Sequence, residues 1–380
     1  METVKRCYKC LLPASMPGIT FNANGVCNYC LEYENNFKNW DEIKERKKVE
    51  FQKILWKAQK LKRAYDCLVP LSGGKDSTYV LYLCSKIYKL KTLAVTFDNG
   101  FLSDLAKENI TNALKFTDAE HMYYTINRNN ANLLFKTFIE KTGDFCNACM
   151  RGINYATEIA IKSFNIPLII RGAGRRVEYV SQIKGVSSLN TASYFANVLD
   201  GTYIRNEFKH FFTQKYKLEF QKIIGGIADV VKIPRTALMS FIPQYIELYD
   251  YIYLPYTEII EILKKEMNWK DTPSSNEHLD CELHGIPFFK DTLKINNITR
   301  NTFYRSGLIR QGLMKRDEAL KEEQTELLNN EPPQELLEFL KTNNMTFEKY
   351  INAVKYSDKN LYTPKFQKLI RNIYYKLRKY

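Results

Sequence analysis

Four cysteines near the start of the chain form two pairs, Cys7-x-x-Cys10 and Cys27-x-x-Cys30, with 16 residues between them. Each Cys-x-x-Cys turn can grip one side of a metal ion while the loop between closes over it. This is the spacing of a four-thiolate structural zinc site. Four free thiols and an iron–sulfur cluster are the alternatives the spacing leaves open. A second segment, Ser72-Gly73-Gly74-Lys75-Asp76-Ser77, has the makings of a phosphate cradle. Its glycines permit a tight turn and a close approach of backbone to ligand. Amides at the start of a following helix can then hold an anion. Ser72 and Ser77 add hydroxyl donors, and Asp76 offers a carboxylate to a Mg2+ ion on the bound phosphates. The segment is not a Walker A loop, which needs four residues between its glycines before Gly-Lys-Ser/Thr.

A third pair, Cys146-x-x-Cys149, follows Gly143-Asp144 and precedes a helical pattern. A helix N-terminus is expected to lower a thiol pKa, so the pair suits metal ligation, a persulfide carrier or redox chemistry. Cys281 stands alone about 130 residues later. Three protein thiolates around a [4Fe–4S] cluster would leave one iron open for sulfide or substrate. The alternative has Cys146 and Cys149 on a second zinc or unliganded, with Cys281 in the core. Cys67 and Cys84 fall on a strand and a helix and read as core. His121, His210, His278 and His284 show no ligand spacing.

These residues need a scaffold, and the hydrophobic rhythm supplies one. Residues 1–35 read as a cysteine-punctuated, loop-like module, and 40–64 as a connecting helix. Short apolar runs at 67–71, 93–97, 122–126 and 166–170 read as strands. Helical patterns at 77–87, 102–114, 133–140 and 153–163 alternate with them. Such alternation predicts a doubly wound, mostly parallel α/β sheet over 65–235. Beyond 235 the sequence is Tyr-rich and reads as mainly helical. Phe366, Leu369, Ile370, Ile373, Tyr374 and Leu377 fall on one face of a last, basic helix. Gly172 and Gly174 end the fourth strand as Gly73 and Gly74 follow the first, and such strand ends flank a ligand crevice. Asp98, just past the second strand, can meet a ribose or its metal, or can cap a turn with Asn99-Gly100.

At 380 residues, with 45% hydrophobic and 13% aromatic residues, the chain is long and apolar enough for a sizeable core, which excludes a disordered protein. Apolar runs such as 167–170 are too short to span a bilayer, and residues 1–7 carry no apolar signal, so a cytoplasmic protein without membrane contact is expected. Nine cysteines are then reduced and available for metals. A net charge of +14 suits an anionic partner such as RNA, a nucleotide or an acidic sugar conjugate, or serves solubility alone.

Ser72-Gly73-Gly74-Lys75-Asp76-Ser77 matches the SGGxDS signature of the PP-loop ATP pyrophosphatases, and the chain resembles that family here. The wider match is to its N-acetyl sugar amidotransferase branch, found with surface-polysaccharide pathways. It runs over Cys7-Tyr8-Lys9-Cys10-Leu11-Leu12-Pro13, Gly25-Val26-Cys27-Asn28-Tyr29-Cys30 and Gly143-Asp144-Phe145-Cys146-Asn147-Ala148-Cys149. It continues at Glu178-Tyr179, Leu279-Asp280-Cys281 and Arg310-Gln311-Gly312-Leu313-Met314-Lys315-Arg316-Asp317-Glu318-Ala319. The resemblance implies ATP and Mg2+ bound through Ser72, Gly73, Gly74, Asp76, Ser77, Asp98 and Gly172, with Lys75, Asp76, Cys146 and Cys149 as catalytic residues. It implies adenylation of the amide oxygen of a nucleotide-linked N-acetyl sugar, attack by ammonia and release of AMP. Gly172-Ala173-Gly174-Arg175-Arg176 departs from the family's Gly-Glu pair, and the nearest carboxylate is Glu178. Position 2 is Glu and no glutaminase domain is evident, so a separate glutaminase subunit is expected to supply ammonia. The cysteine constellation also resembles the PP-loop tRNA 2-thiolation enzymes, in which the three internal cysteines, here Cys146, Cys149 and Cys281, hold a [4Fe–4S] cluster. A zinc-containing nucleotide-binding module without catalysis is a further alternative, and it predicts ATP binding without pyrophosphate release.

Overall fold

The computed structural model describes residues 5–173, 191–213, 243–271, 280–328 and 331–356. Gly174, Arg175, Arg176, Glu178, His278 and the basic stripe from Phe366 lie outside the described residues. At the centre is one parallel sheet of β1 (Cys67–Pro70), β2 (Thr92–Asp98), β3 (Glu120–Thr125), β4 (Leu168–Arg171) and β5 (Gln244–Glu247), in the order β3-β2-β1-β4-β5. Alternate residues of the central strands feed two cores. Leu68, Leu93, Val95 and Ile169 face one, while Cys67, Val69, Ala94, Leu168 and Ile170 face the other. Both faces are thus covered, as a parallel sheet requires, and this is why the strands read as continuous apolar runs.

Beneath one face lie α5 (Arg128–Thr142) and α6 (Cys146–Phe164). Against the other pack α2 (Trp40–Lys60), α3 (Lys75–Leu81, continued by a wider π-type turn over Tyr82–Ile87) and α4 (Asp104–Lys115). α4 begins where Ser103 caps it, its hydroxyl accepting from the Ala106 amide at 3.1 Å. α2 does more than connect, since Phe51, Ile54, Leu55 and Ala58 are buried in the second core. The winding runs outward from β1 through β2 to β3 and returns to the other side of β1 at β4. Loops leaving β1 and β4 therefore diverge, and the crevice between them is where such sheets take ligands.

Two expectations are corrected. The loop-like reading of 1–35 misses α1 (Asn28–Phe37), whose first turn is the second cysteine pair: Cys27 is its N-cap and accepts from the Cys30 amide through sulfur. The sheet also continues past 235, because β5 pairs with β4. Four residues with alternating burial in a Tyr-rich stretch give too short a period to register as a strand.

The remaining helices include α7 (Thr191–Val198), α8 (Lys209–Thr213), α9 (Tyr256–Met267), α10 (Gly285–Lys294), α11 (Thr302–Arg310), α12 (Arg316–Leu328), α13 (Gln334–Thr342) and α14 (Phe347–Tyr356). The cysteine module packs on this C-terminal layer, sharing an apolar cluster with Ile295 and Ile298. Among the described residues no helix is long and apolar enough to cross a membrane.

Candidate functional site

The Ser72–Ser77 loop leaves β1 and opens directly into α3. Gly73 has φ +81°, and a Cβ there would lie 2.4 Å from the Ala106 carbonyl oxygen, so both conformation and space demand glycine. The loop is braced from within. Ser77 Oγ accepts from the Ser72 amide at 3.1 Å and donates to the Gly74 carbonyl at 3.1 Å. The indole of Trp269 donates to the Gly73 carbonyl at 2.9 Å from the far side. Gly172, leaving β4, comes so close that a Cβ would sit 2.5 Å from the Asp76 carbonyl carbon. Gly172, one of the strand-end glycines singled out in the sequence, therefore meets the Ser72–Ser77 segment.

Asp76 is engaged on both oxygens, accepting from the Tyr249 hydroxyl and pairing with Lys75 Nζ at 3.1 Å. Burial, and then the Asp76 carboxylate beside it, push the Tyr249 hydroxyl well above the usual phenol range, so Tyr249 stays a donor. Lys75 Nζ also lies 4.1 Å from the centre of the Tyr256 ring. Asp98 takes the capping role: it accepts from the Gly100 amide and from the Tyr123 hydroxyl, each at 2.8 Å. Asp280, part of the Leu279-Asp280-Cys281 stretch named above but given no role there, enters the same region. Its carboxylate is 3.9 Å from the Cβ position of residue 74.

Asp280 arrives there because residues 280–282 run beside the segment after β2. Leu102 bridges Cys281, the Ser103 amide donates to the Asp280 carbonyl, and the Glu282 amide donates to the Phe101 carbonyl. This brings Cys281 toward the Cys146–Cys149 turn of α6. Asn99 donates to Cys149 Sγ at 3.2 Å and accepts from the Phe101 amide at 2.8 Å, which fixes its amide orientation. The helix start was expected to lower these thiol pKa values, and the opposite holds. Burial pushes Cys149 up to about 12 despite the Asn99 hydrogen bond, and burial also raises Cys146 and Cys281. The charges of Asp144 and of the neighbouring cysteines add to the effect at Cys146, and Asp280 adds at Cys149. By surface area Cys146 is exposed while Cys149 and Cys281 are half-buried, so burial bears most on the last two.

The first four cysteines converge fully. Cys7, Cys10, Cys27 and Cys30 are buried, with all four Sγ atoms within 4.8 Å of one another. Amides of Lys9 and Cys27 donate to Cys7 Sγ at 3.4 and 3.3 Å. Hydrogen bonds with Cys10, then Cys27 and Cys30, hold the Cys7 thiol far below the usual range, while those of Cys10 with Cys27, then Cys30 and Cys7, push Cys10 up. Sulfurs crowded at this spacing repel one another as thiolates, and a thiophilic cation offsets that charge while taking a bond from each. The all-sulfur donor set fits zinc or another soft metal. Among the described residues no other group of three or more Cys, His or acidic side chains meets that spacing. A cubane cluster separates its thiolates more widely than one ion does, so Cys146, Cys149 and Cys281 could hold one without lying that close together.

Around the cysteines the C-terminal layer supplies an outer shell. Arg316 donates to the carbonyls of Cys7 (3.1 Å) and Cys10 (3.2 Å), and Arg310 Nη1 lies 3.9 Å from Cys30 Sγ. The late Arg310–Arg316 segment thus wraps the metal site, about 300 residues away in sequence. Cys67 and Cys84 are fully buried in the sheet core, as their positions suggested.

No family model matches the chain. It is similar to Uncharacterized protein MJ1599 of Methanocaldococcus jannaschii, with 31% identity over 157 residues, which is 40% of this chain and 53% of that protein. The chain thus spans about half the length of the curated relative it matches.

Proposed function

We propose that this chain is an ATP pyrophosphatase of the PP-loop type that replaces an amide oxygen of an N-acetyl sugar with nitrogen, in surface-polysaccharide synthesis. The observation that carries this reading is the meeting of the Ser72–Ser77 loop with Gly172 at the divide between β1 and β4. ATP would lie across that divide, its phosphates on the loop amides and the Ser72 and Ser77 hydroxyls. Asp76 would take Mg2+, and Lys75 would face charge developing on the phosphates. The amide oxygen attacks the α-phosphorus and pyrophosphate leaves. Ammonia, delivered by a separate glutaminase subunit, then adds to the activated carbon, and AMP departs with the original oxygen to leave an acetamidine.

The test is incubation of the metal-loaded chain with MgATP, ammonia and a nucleotide-linked N-acetyl sugar. AMP and pyrophosphate forming one for one with an amidine product supports the reading. Efficient glutamine-dependent turnover by the chain alone would remove the separate glutaminase from it.

A second reading, sulfur transfer to tRNA or a small molecule through a [4Fe–4S] cluster, is favoured by one specific observation. Cys281 bridges to Leu102, on the same side as the Asn99–Cys149 contact, and its thiol feels the charge of Cys149. Iron and sulfide content after oxygen-free purification separates the two readings. About four irons per chain, lost on Cys149→Ala, would favour sulfur. Zinc alone would favour nitrogen.

A further inference from the structure

One helix touches the cysteine centre at one end and, at the other, a tyrosine that holds the lysine of the phosphate loop. At its C-terminal end α11 presents Arg310 to Cys30, while Tyr304, six residues earlier, stacks on Tyr256 with ring centres 6.4 Å apart. Six helical residues span about 9 Å. Just past the helix Gln311 accepts from the Tyr253 hydroxyl. Tyr256 in turn carries Lys75 Nζ over its ring, and Tyr249, earlier in the same segment, donates to Asp76. The loop's cation and carboxylate are therefore both held by the 249–256 segment. That segment rests on a helix whose other end is fixed to the cysteine module. Ser306, on α11, tightens the link by accepting from the Leu11 amide at 3.3 Å.

We propose that the Cys7–Cys10–Cys27–Cys30 metal centre positions Lys75 through α11 and Tyr256, so that metal occupancy sets how well the loop holds a nucleotide. Tyr256 acts as a positioning residue, because its ring face attracts the ammonium electrostatically and keeps Lys75 beside the loop. Arg310 is the anchor at the metal end, where a four-thiolate site with a divalent ion carries net negative charge that a guanidinium offsets. The nucleotide half of this inference rests on the reading of the loop given above. The mechanical half does not.

The experiment uses the full-length, zinc-loaded chain and three readouts: bound zinc, hydrogen exchange at 72–77 and 249–256, and MgATP affinity by calorimetry. Arg310→Ala is expected to speed zinc loss to a chelator roughly 10- to 100-fold and to raise exchange at 249–256. Tyr256→Leu is expected to keep its zinc, raise exchange at 72–77 and weaken MgATP roughly tenfold, with Tyr256→Phe restoring both. Exchange in β2 should stay unchanged throughout, which separates local loosening from unfolding. Unchanged exchange at 249–256 and 72–77 after zinc is stripped would overturn the coupling. A zinc-loaded wild-type chain that binds no MgATP would sink the nucleotide reading, and the exchange data would still decide the coupling.

Discussion

Gly172 packs against the main chain of Asp76 with no room for a methyl group: a Cβ at 172 would come within 2.5 Å of the Asp76 carbonyl carbon and 2.6 Å of its oxygen. The contact joins the ends of two strands that are neighbours in the sheet but about 100 residues apart in sequence. Because the obstacle is backbone, it cannot swing aside. Gly172→Ala is therefore expected to push the Asp76 turn out of place, cost about 1–3 kcal/mol of stability and weaken nucleotide binding. Thermal unfolding and MgATP calorimetry on the same protein check both effects. Wild-type affinity in a folded variant would sink the idea that this contact shapes the loop.

Asp76 offers a cleaner separation of stability from function. Its carboxylate is partly exposed and held by Tyr249 and Lys75. Asp76→Asn keeps the shape and can still accept from Tyr249, so unfolding should change little. Pyrophosphate release should fall by roughly 100-fold or more, as for other groups that steady charge in a transition state. Radiolabelled ATP and thin-layer separation measure it. Near-normal release would take Asp76 out of the reaction.

Much of this arrangement was legible in the sequence. The strand–glycine–helix order around Ser72–Ser77 is local, and local spacing also marks the two Cys-x-x-Cys turns, which the fold brings together as expected. The rest depends on chain crossings that no window of sequence reveals. Asp280 reaches the loop only because 280–282 run beside 101–103. Trp269 and Tyr249 support the loop from distant segments, and no periodicity announces either. Asp98 was legible as a turn cap or a ribose contact, and its hydrogen bond from the Gly100 amide is the capping contact. The helix start alone suggests lowered thiols at Cys146 and Cys149, and misses the partial burial of Cys149 and the Asp144 carboxylate near Cys146.

A buried carboxylate in the C-terminal layer makes a third prediction. Glu323 is fully buried and accepts from Thr302 and, at 3.2 Å, from Thr299, while pairing with Arg6 at 3.5 Å and Arg305 at 3.4 Å. Glu323→Ala would leave cations and hydroxyls without their shared partner, at a cost of about 3–5 kcal/mol. Because Arg6 precedes the first metal ligand, zinc should also leave the variant faster. Denaturant unfolding and chelator kinetics read the two effects. A loss below about 1 kcal/mol would mean that the network contributes no more than an exposed ion pair does.

Asp291 gives stability a pH dependence with a definite sign. Burial raises its carboxyl to about 7, with Lys290 opposing the shift and Asp144 adding to it. The folded state therefore holds a proton that the unfolded state gives up near the ordinary carboxylate value of about 4. Stability from this group is fully present below that value and is lost as pH rises through about 7. Asp291→Asn should match wild type below about pH 4 and exceed it at pH 8. Unfolding midpoints that differ equally at both pH values would contradict the assignment.

The central claim is cleavage of ATP between its α and β phosphates at the Ser72–Ser77 loop. The most direct test follows ATP labelled separately at the α and γ positions, with Mg2+, ammonia and nucleotide-linked N-acetyl sugars as acceptors. α-Label is expected in AMP and γ-label in pyrophosphate, in equal amounts, with both lost in Asp76→Asn. Label appearing in ADP and inorganic phosphate, or ATP bound but never cleaved with any of these acceptors, would contradict it.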